Sequence, residues 1–247
     1  MKKRVVAIIQ ARVGSTRLPG KIFKIVSGKP MLEHMINRAL YSKMLDDIVL
    51  AIPDSYLNDE LAEFAGDFNI NCFRGNEDDV LSRYYNAASK FKGEVVVRLT
   101  SDCPLIDSEI IDSTVRTHLD GKCDYTYKGP NSGFPRGVDT EVFNFETLEK
   151  VYKEAKLKYE REHVTPYIYT HPEIFKINLI KAEERYNYPQ LRLTVDTEED
   201  LTLIRTIYEN LYPTKQNFCL LDIINFLAER PDLVIINAYI KQKKLGE

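Results

Sequence analysis

RVVAIIQARVGSTRLPGK, residues 4–21, joins an apolar run to a basic segment that contains two glycines and a proline. The run over residues 4–10 is short and almost wholly apolar, which predicts a buried strand. Residues 11–21 follow it directly, and in an open parallel sheet ligands bind beyond the carboxyl ends of the strands. The basic segment is therefore predicted to be a ligand-binding loop.

The composition of this loop favours a phosphate ligand. Gly14 and Gly20 let the backbone approach a ligand closely, so that free N–H groups can point at phosphate oxygens. Arg12, Arg17 and Lys21 can neutralise a triphosphate and stabilise the charge of departing pyrophosphate. The alternative is a solvated basic surface loop. The spacing fits neither the GxxxxGK[ST] of a P-loop nor the GxGxxG of a dinucleotide-binding fold.

The rest of the amino-terminal half alternates short apolar runs with amphipathic stretches, which predicts parallel strands covered by helices. Further strands are predicted over residues 47–52, 71–74 and 94–99. Helices are predicted over residues 30–43, 59–68 with Asn58 as N-cap, 77–91, and from the cap Asp107 to residue 119.

The pattern changes after residue 123. A glycine- and proline-rich loop over 129–137 precedes strands at 140–145, 174–180 and 191–195, and helices at 146–156, 161–170 and from 197 onward. This order does not continue the strand-and-helix repeat. We therefore predict a single domain over residues 1–247, with an inserted acceptor-binding and dimerisation region over about residues 125–190.

The composition of the chain argues against several classes of protein. The chain has 247 residues and a net charge of −3, which argues against a general nucleic-acid-binding surface. No apolar run approaches the ~20 residues that cross a bilayer, so we predict no membrane partner. The apolar run after the first basic residues is too short for a signal peptide. The four cysteines form no CxxC pair, which favours reduced thiols and a cytoplasmic location.

Two aspartates follow predicted strands. Asp102 comes after the valine-rich run at residues 94–99, and Asp196 comes after residues 191–195. Carboxylates at strand ends can hold Mg²⁺ together with phosphate oxygens. The alternative for each is a turn or helix-capping role, and Asp196 could be the N-cap of the helix that follows it.

The chain resembles the sugar-acid cytidylyltransferases, which include the acylneuraminate and 3-deoxy-manno-octulosonate enzymes, and most of all their spore-coat polysaccharide branch. The resemblance covers nearly the whole chain. It rests on residues 11–21, Leu32-Glu33-His34, Arg98-Leu99-Thr100-Ser101-Asp102-Cys103-Pro104, residues 160–167, and Thr194-Val195-Asp196-Thr197-Glu198-Glu199-Asp200-Leu201.

This resemblance implies a Rossmann-like α/β nucleotidyltransferase fold of the glycosyltransferase-A type, with a mostly parallel central sheet flanked by helices. It implies transfer of CMP from CTP to a small acidic sugar, with Arg12, Lys21 and Asp102 as catalytic residues. Mg²⁺, or Mn²⁺, would bind Asp102 and Asp196. The middle region would form a homodimer arm, with its tyrosines at the interface.

The resemblance also implies residues for the nucleotide. Nucleotide contacts are expected from Ala11, Arg12, Gly14, Ser15, Arg17, Lys21, Gly75, Ser82 and Arg83. The segment near Gly75 departs from the Ser-Gly-Thr-Asp-Arg form of the octulosonate enzymes, and it could instead simply begin a helix. Independently of the resemblance, a charged cluster near the glycine-rich loop favours acceptor binding over a structural or solvated role, and its members are Arg136, Asp139, Glu141, Arg161 and His163.

Other functions remain open at this point. The same fold could use another nucleoside triphosphate or a sugar phosphate acceptor. A glycosyltransferase usually carries an Asp-x-Asp metal pair, and Ser101-Asp102-Cys103 stands in its place here. A non-catalytic nucleotide-binding protein would need neither Asp102 nor Asp196.

Overall fold

A computed structural model describes residues 2–242 of the chain. Its centre is a seven-stranded sheet, formed by β1 Val5–Gln10, β4 Asp47–Pro53, β5 Asn71–Gly75, β6 Val95–Thr100, β7 Tyr125–Lys128, β8 Thr140–Asn144 and β9 Ile177–Leu179, and a separate hairpin pairs β2 Ile25–Val26 with β3 Lys29–Pro30. The order in the sheet is β5-β4-β1-β6-β8-β7-β9. Strands β5, β4, β1 and β6 run parallel, whereas β8 is antiparallel to both of its neighbours and β9 is parallel to β7.

Helices cover both faces of the sheet. They are α1 Met31–Leu40, α2 Asp59–Asp67, α3 Val80–Lys90, α4 Ser108–Gly121, α5 Phe145–Glu154, α6 Lys158–His163, α7 Pro166–Thr170, α8 Glu198–Leu211, α9 Leu220–Glu229 and α10 Pro231–Val234, with 3₁₀ turns at Lys21–Phe23, Tyr56–Asn58 and Glu184–Tyr186.

The side chains of β1 alternate between two hydrophobic cores, which explains why this strand is apolar at almost every position. Val5, Ala7 and Ile9 pack in the core with α1, α4 and α8. Val6 and Ile8 pack in the core with α3 and α5. A strand buried on both faces is read as a continuous apolar run rather than as an alternating one.

The strand order reverses direction between β1 and β6. From β1 the chain first adds β4 and β5 on one side and then returns to place β6 on the other. Loops at such a switch point diverge and leave a crevice at the carboxyl ends of the strands. The predicted α/β fold with a mostly parallel sheet is confirmed, and the loop after β1 lies at this crevice.

Three local predictions were wrong. Residues 191–195 form no regular strand, and Arg192 makes only an isolated bridge to Arg136. The helix predicted over 161–170 is interrupted at Val164, where φ is +71°. The helix predicted from residue 77 begins at Val80, because Asp79 accepts a hydrogen bond from the Ser82 N–H and caps it there.

Asn58 occupies the predicted N-cap position of α2, but its side chain makes no capping hydrogen bond there. Its Oδ1 instead accepts a hydrogen bond from the Val13 N–H at 3.2 Å, so the buried amide anchors the basic loop.

Candidate active site

A cavity of about 940 Å³ opens at the carboxyl ends of β1 and β6. One wall is the loop after β1, and the opposite wall comes from β7, β8 and the α6–α7 turn. Many of the residues predicted to bind substrates line it, namely Ala11, Arg12, Gly14, Ser15, Arg17, Lys21, Arg83, Asp102, Arg136, Asp139, Glu141, His163 and Asp196.

Hydrogen bonds bring the two aspartates together across the sequence. The Asp102 carbonyl accepts one bond from the Val195 N–H at 2.8 Å and another from the Thr194 hydroxyl at 3.0 Å. Gly137 allows a close backbone approach to the segment before Asp196. Its φ is +103°, and a Cβ there would lie 2.4 Å from the Leu193 carbonyl carbon, so only glycine fits.

Lys21 lies between the two carboxylates. Its Nζ is 3.3 Å from Asp102 Oδ2, 3.0 Å from Asp196 Oδ1 and 2.7 Å from the Val195 carbonyl oxygen. Burial alone would lower the pKa of Lys21, but the charges of Asp102 and Asp196 outweigh it and raise that pKa. The amine is therefore a fixed positive charge at neutral pH.

Asp196 is held by three cations. Besides Lys21, Arg17 Nη2 lies 3.0 Å and Arg192 Nη2 lies 2.8 Å from Asp196 Oδ2. Burial would raise the pKa of Asp196, yet these cations, Lys21 foremost, bring it below its ordinary value. Asp102 is less engaged, because in the described part of the chain its Oδ1 contacts only the Cys103 thiol, at 3.6 Å, while its Oδ2 contacts Lys21.

The loop after β1 is fixed at its base and open at its tip. Leu18 and Ile22 are buried in the core, and Gly20 turns the chain with a φ of +63°. A Cβ added to Gly14 would meet nothing within 4 Å, so the backbone there faces open space. Arg12 is exposed and forms no ion pair within residues 2–242.

The structure places three predicted contact residues outside the cavity lining. Gly75 leaves room for Arg83, whose Cγ would lie 2.9 Å from a Cβ at that position. Ser82 forms hydrogen bonds through its N–H and hydroxyl to Asp79 at the start of α3. The Arg161 guanidinium donates hydrogen bonds to Asp79 and to two backbone carbonyls, and it thereby connects α6 to the start of α3.

Two predicted contact residues line the cavity with side chains that are already engaged. Glu141 accepts hydrogen bonds from Arg98, from the Tyr125 hydroxyl and from the Thr165 hydroxyl at 2.7 Å. Arg83 is buried, and its Nη1 donates to the backbone carbonyls of residues 76 and 77. Both side chains brace the walls of the cavity.

The remaining predicted acceptor residues have free polar atoms. Asp139 accepts one hydrogen bond, from the Gly137 N–H at 2.9 Å, and burial raises its pKa. Arg136 Nε has no hydrogen-bond partner among the described residues. Burial, together with the nearby charge of Arg98, lowers the pKa of His163, so its imidazole is neutral at neutral pH.

Sequence reasoning missed several residues of the site. Arg98 forms an ion pair with Glu141 and donates to Gln10 Oε1 at 3.2 Å, and a charged residue inside a valine-rich strand was the available signal. Arg192 and Gln242 had no such signal, because Gln242 lies 50 positions along the chain from its partner Arg192. Tyr127 and Tyr169, expected at a dimer interface, also line the cavity.

Residues 6–228 match the family model described as cytidylyltransferase. The chain belongs to the cytidylyltransferase family. It is accordingly a nucleotidyltransferase, in agreement with the arrangement of cations at the open end of the parallel strands. Of the chain that the structure describes, no helix is both long and apolar enough to cross a membrane.

Relatives of this cytidylyltransferase match over nearly their full lengths. An uncharacterized protein of Methanocaldococcus jannaschii is 38% identical over 99% of this chain and 98% of its own. The spore coat polysaccharide biosynthesis protein SpsF of Bacillus subtilis is 34% identical over 92% of this chain and 95% of its own. The structure of a cytidylyltransferase from Leptospira borgpetersenii superposes with a TM-score of 0.90 at 32% identity, covering 98% of this chain and 100% of its own.

Proposed function

We propose that the protein transfers CMP from CTP to a hydroxyl group of a small acidic sugar and releases pyrophosphate. The observation that carries this proposal is the position of Lys21 between Asp102 and Asp196 at the mouth of the crevice. A preorganised charge at that point stabilises the anion that develops as pyrophosphate leaves.

The loop after β1 would hold the triphosphate. Arg12 is exposed beside the open backbone at Gly14, and neither is engaged by another side chain in the described residues. Arg17 and Lys21 approach from the same loop with their charges already oriented by Asp196. The acceptor hydroxyl oxygen forms a bond to the α-phosphorus, and the bond to the β-phosphate oxygen breaks.

The opposite wall would hold the acceptor. Arg136 offers a guanidinium for a carboxylate, which planar guanidinium groups bind in two-point contacts. Asp139 has oxygen lone pairs free for sugar hydroxyls and is suited to take the proton of the attacking hydroxyl. Tyr127 and Tyr169 add aromatic surface at the same end. The name of the Bacillus subtilis relative supports a product that enters polysaccharide synthesis.

A divalent cation fits part of this site. Among residues 2–242, Asp102 Oδ1 is engaged only by a weak thiol contact, so Asp102 could hold Mg²⁺ or Mn²⁺ together with phosphate oxygens. Asp196 would join it only if one of its three cations moved toward the triphosphate. A bound cation would neutralise phosphate charge and orient the α-phosphate.

Pyrophosphate release tests the proposal directly. Each of four nucleoside triphosphates is incubated with Mg²⁺ and a panel of sugar acids and sugar phosphates. We expect release with CTP and at least one sugar acid, and a CMP-sugar in the products. Release with another nucleotide, or only with sugar phosphates, would overturn the proposed substrates.

A further inference from the structure

The chain after α9 returns to the active site. The family match ends at residue 228, and the segment from residue 235 to residue 242 lies beyond it. Gln242, near the end of the described chain, lines the same cavity as Lys21 and Asp102. The segment therefore reaches the substrate cavity from outside the part of the chain that defines the family.

Two side chains of this segment hold Arg192. Asn237 is only 2% exposed, and its Nδ2 donates to the Arg192 carbonyl at 3.0 Å and to Asp200 Oδ1 at 2.8 Å. Gln242 Oε1 accepts a hydrogen bond from Arg192 Nη1 at 3.0 Å. The Arg192 guanidinium therefore bonds to Gln242 of the segment and to the carboxylates of Asp196 and Asp200.

Arg192 and Asp200 in turn hold Asp196. Arg192 Nη2 lies 2.8 Å from Asp196 Oδ2, and Arg192 Nε lies 2.8 Å from Asp200 Oδ1. Asp200 is fully buried, and its Oδ2 accepts a hydrogen bond from the Asp196 N–H at 2.9 Å. Both the backbone and the carboxylate of Asp196 are therefore fixed by this pair.

We infer that residues 235–242 are a positioning element of the catalytic centre, acting through Arg192 and Asp196 on Lys21 and Arg17. Arg192 has several rotatable bonds, and its orientation decides which Asp196 oxygen is left for Lys21. Without Gln242, Arg192 Nη1 loses its acceptor, and without Asn237 the Arg192 carbonyl and Asp200 Oδ1 lose a donor. Displacement of reacting groups by about 1 Å can cost a large factor in rate.

The inference rests on the proposed function for its kinetic test. Gln242 is exposed, so its replacement can be tested with little effect on folding. Gln242→Met removes the oxygen acceptor at similar length, and we expect kcat/KM for CTP to fall roughly tenfold or more. KM for the acceptor and the melting temperature should stay unchanged. Gln242→Glu keeps an oxygen acceptor for Arg192 and should restore the rate.

Tyr239→Phe is the matched control, because Tyr239 lies in the same segment but donates to the exposed Glu199 at 2.8 Å. It should behave as wild type. Wild-type kcat/KM in Gln242→Met, or a raised KM for the acceptor, would overturn the inference.

A second readout does not depend on the reaction. Asn237→Ala should speed hydrogen exchange at the Asp196 amide, which donates to Asp200. Unchanged exchange in a folded Asn237→Ala variant would overturn the inference. If wild type releases no pyrophosphate from CTP, the proposed function fails, while this exchange measurement still decides whether the segment positions Asp196.

Discussion

Lys21 reaches both aspartates from the end of the loop after β1, and its loss should slow the chemical step. Asp196 would keep Arg17 and Arg192 as partners in its absence, so the fold should persist. We expect Lys21→Met to lower kcat by at least ~100-fold, since removing one preorganised charge typically costs a few kcal/mol. Pyrophosphate release measures the rate, and circular dichroism reports folding.

Lys24→Ala is the control for this variant. Lys24 pairs with the exposed Glu198 at 2.9 Å and lies away from the cavity lining. Its replacement should leave the rate unchanged, because exposed ion pairs contribute little. Near-normal turnover in Lys21→Met would remove Lys21 from the mechanism.

The roles of the two aspartates can be distinguished by the Mg²⁺ dependence of their asparagine variants. Asn replaces Asp with little change in shape but without the charge that a hard cation prefers. We expect Asp102→Asn and Asp196→Asn each to reduce activity sharply, and Asp102→Asn to raise the Mg²⁺ concentration needed for half-maximal rate. Full activity in excess chelator, or an unchanged Mg²⁺ dependence in both variants, would contradict the proposed metal site. Thr197 is the N-cap of α8, so loss of a cap does not complicate Asp196→Asn.

At the scale of secondary-structure elements, the α6–α7 turn presents His163 to the cavity. Val164 has a φ of +71° and ψ of −54°, and the Thr165 N–H donates to the His163 carbonyl at 2.8 Å, as in a γ-turn. This conformation is costly for a β-branched residue and persists only where its surroundings enforce it. The buried Val164 side chain and the Thr165–Glu141 hydrogen bond supply that constraint.

Thr165→Val tests this turn. The variant keeps the side chain's shape but removes the hydroxyl that donates to Glu141. We expect KM for the acceptor sugar to rise severalfold while KM for CTP stays constant, because the turn lies on the acceptor wall. Thr170→Val is the control, since the Thr170 hydroxyl donates within α7, to the Pro166 carbonyl at 2.8 Å. Equal changes in both KM values would contradict the assignment of this wall.

For the molecule as a whole, the free energy of unfolding should depend on pH, because three histidines are buried or half-buried. Burial is the largest cause that lowers the pKa of His34, His118 and His163 from 6.5. The unfolded chain therefore binds more protons than the folded one below that value, so stability is present above it and is lost as pH falls. We expect urea unfolding to show a lower free energy at about pH 5 than at about pH 7.5.

His34→Gln should reduce this pH dependence. His34 Nε2–H donates to the Val26 carbonyl at 2.7 Å, and a glutamine amide can supply a similar donor without titrating. An unchanged pH dependence in the variant would show that His34 does not contribute.

The middle region is the part of the chain in which we expect homodimer contacts. Leu157, Tyr169 and Ile174 expose apolar surface in the middle region, with 53%, 37% and 40% of their surface accessible. Tyr125 cannot belong to an interface as expected, because it is buried in the core at 1% exposure. We expect light scattering to give twice the 28.6 kDa chain mass at micromolar concentration. A monomer mass would contradict the prediction.

Much of the fold followed from local pattern. The strand at Val5–Gln10 and the cap at Asp107 were predictable because burial on both faces and helix capping leave local signatures. Residues 191–195 misled the prediction, since their apolar alternation comes from packing beside Arg136 and Asp102 rather than from sheet pairing. The break at Val164 was also hidden, because its cause is a contact with Glu141 in a distant strand.

Local sequence patterns predict the parallel sheet, the basic loop after its first strand and the residue types that suit a triphosphate. The roles of these residues depend on contacts made by folding. Folding placed Lys21 between two aspartates 94 positions apart, engaged Glu141 and Arg161 in the scaffold, and brought Gln242 to Arg192. Helix capping and hydrophobic periodicity depend on neighbours along the chain, so sequence patterns reveal them. The charge and hydrogen bonding of a buried side chain depend instead on groups that folding brings beside it.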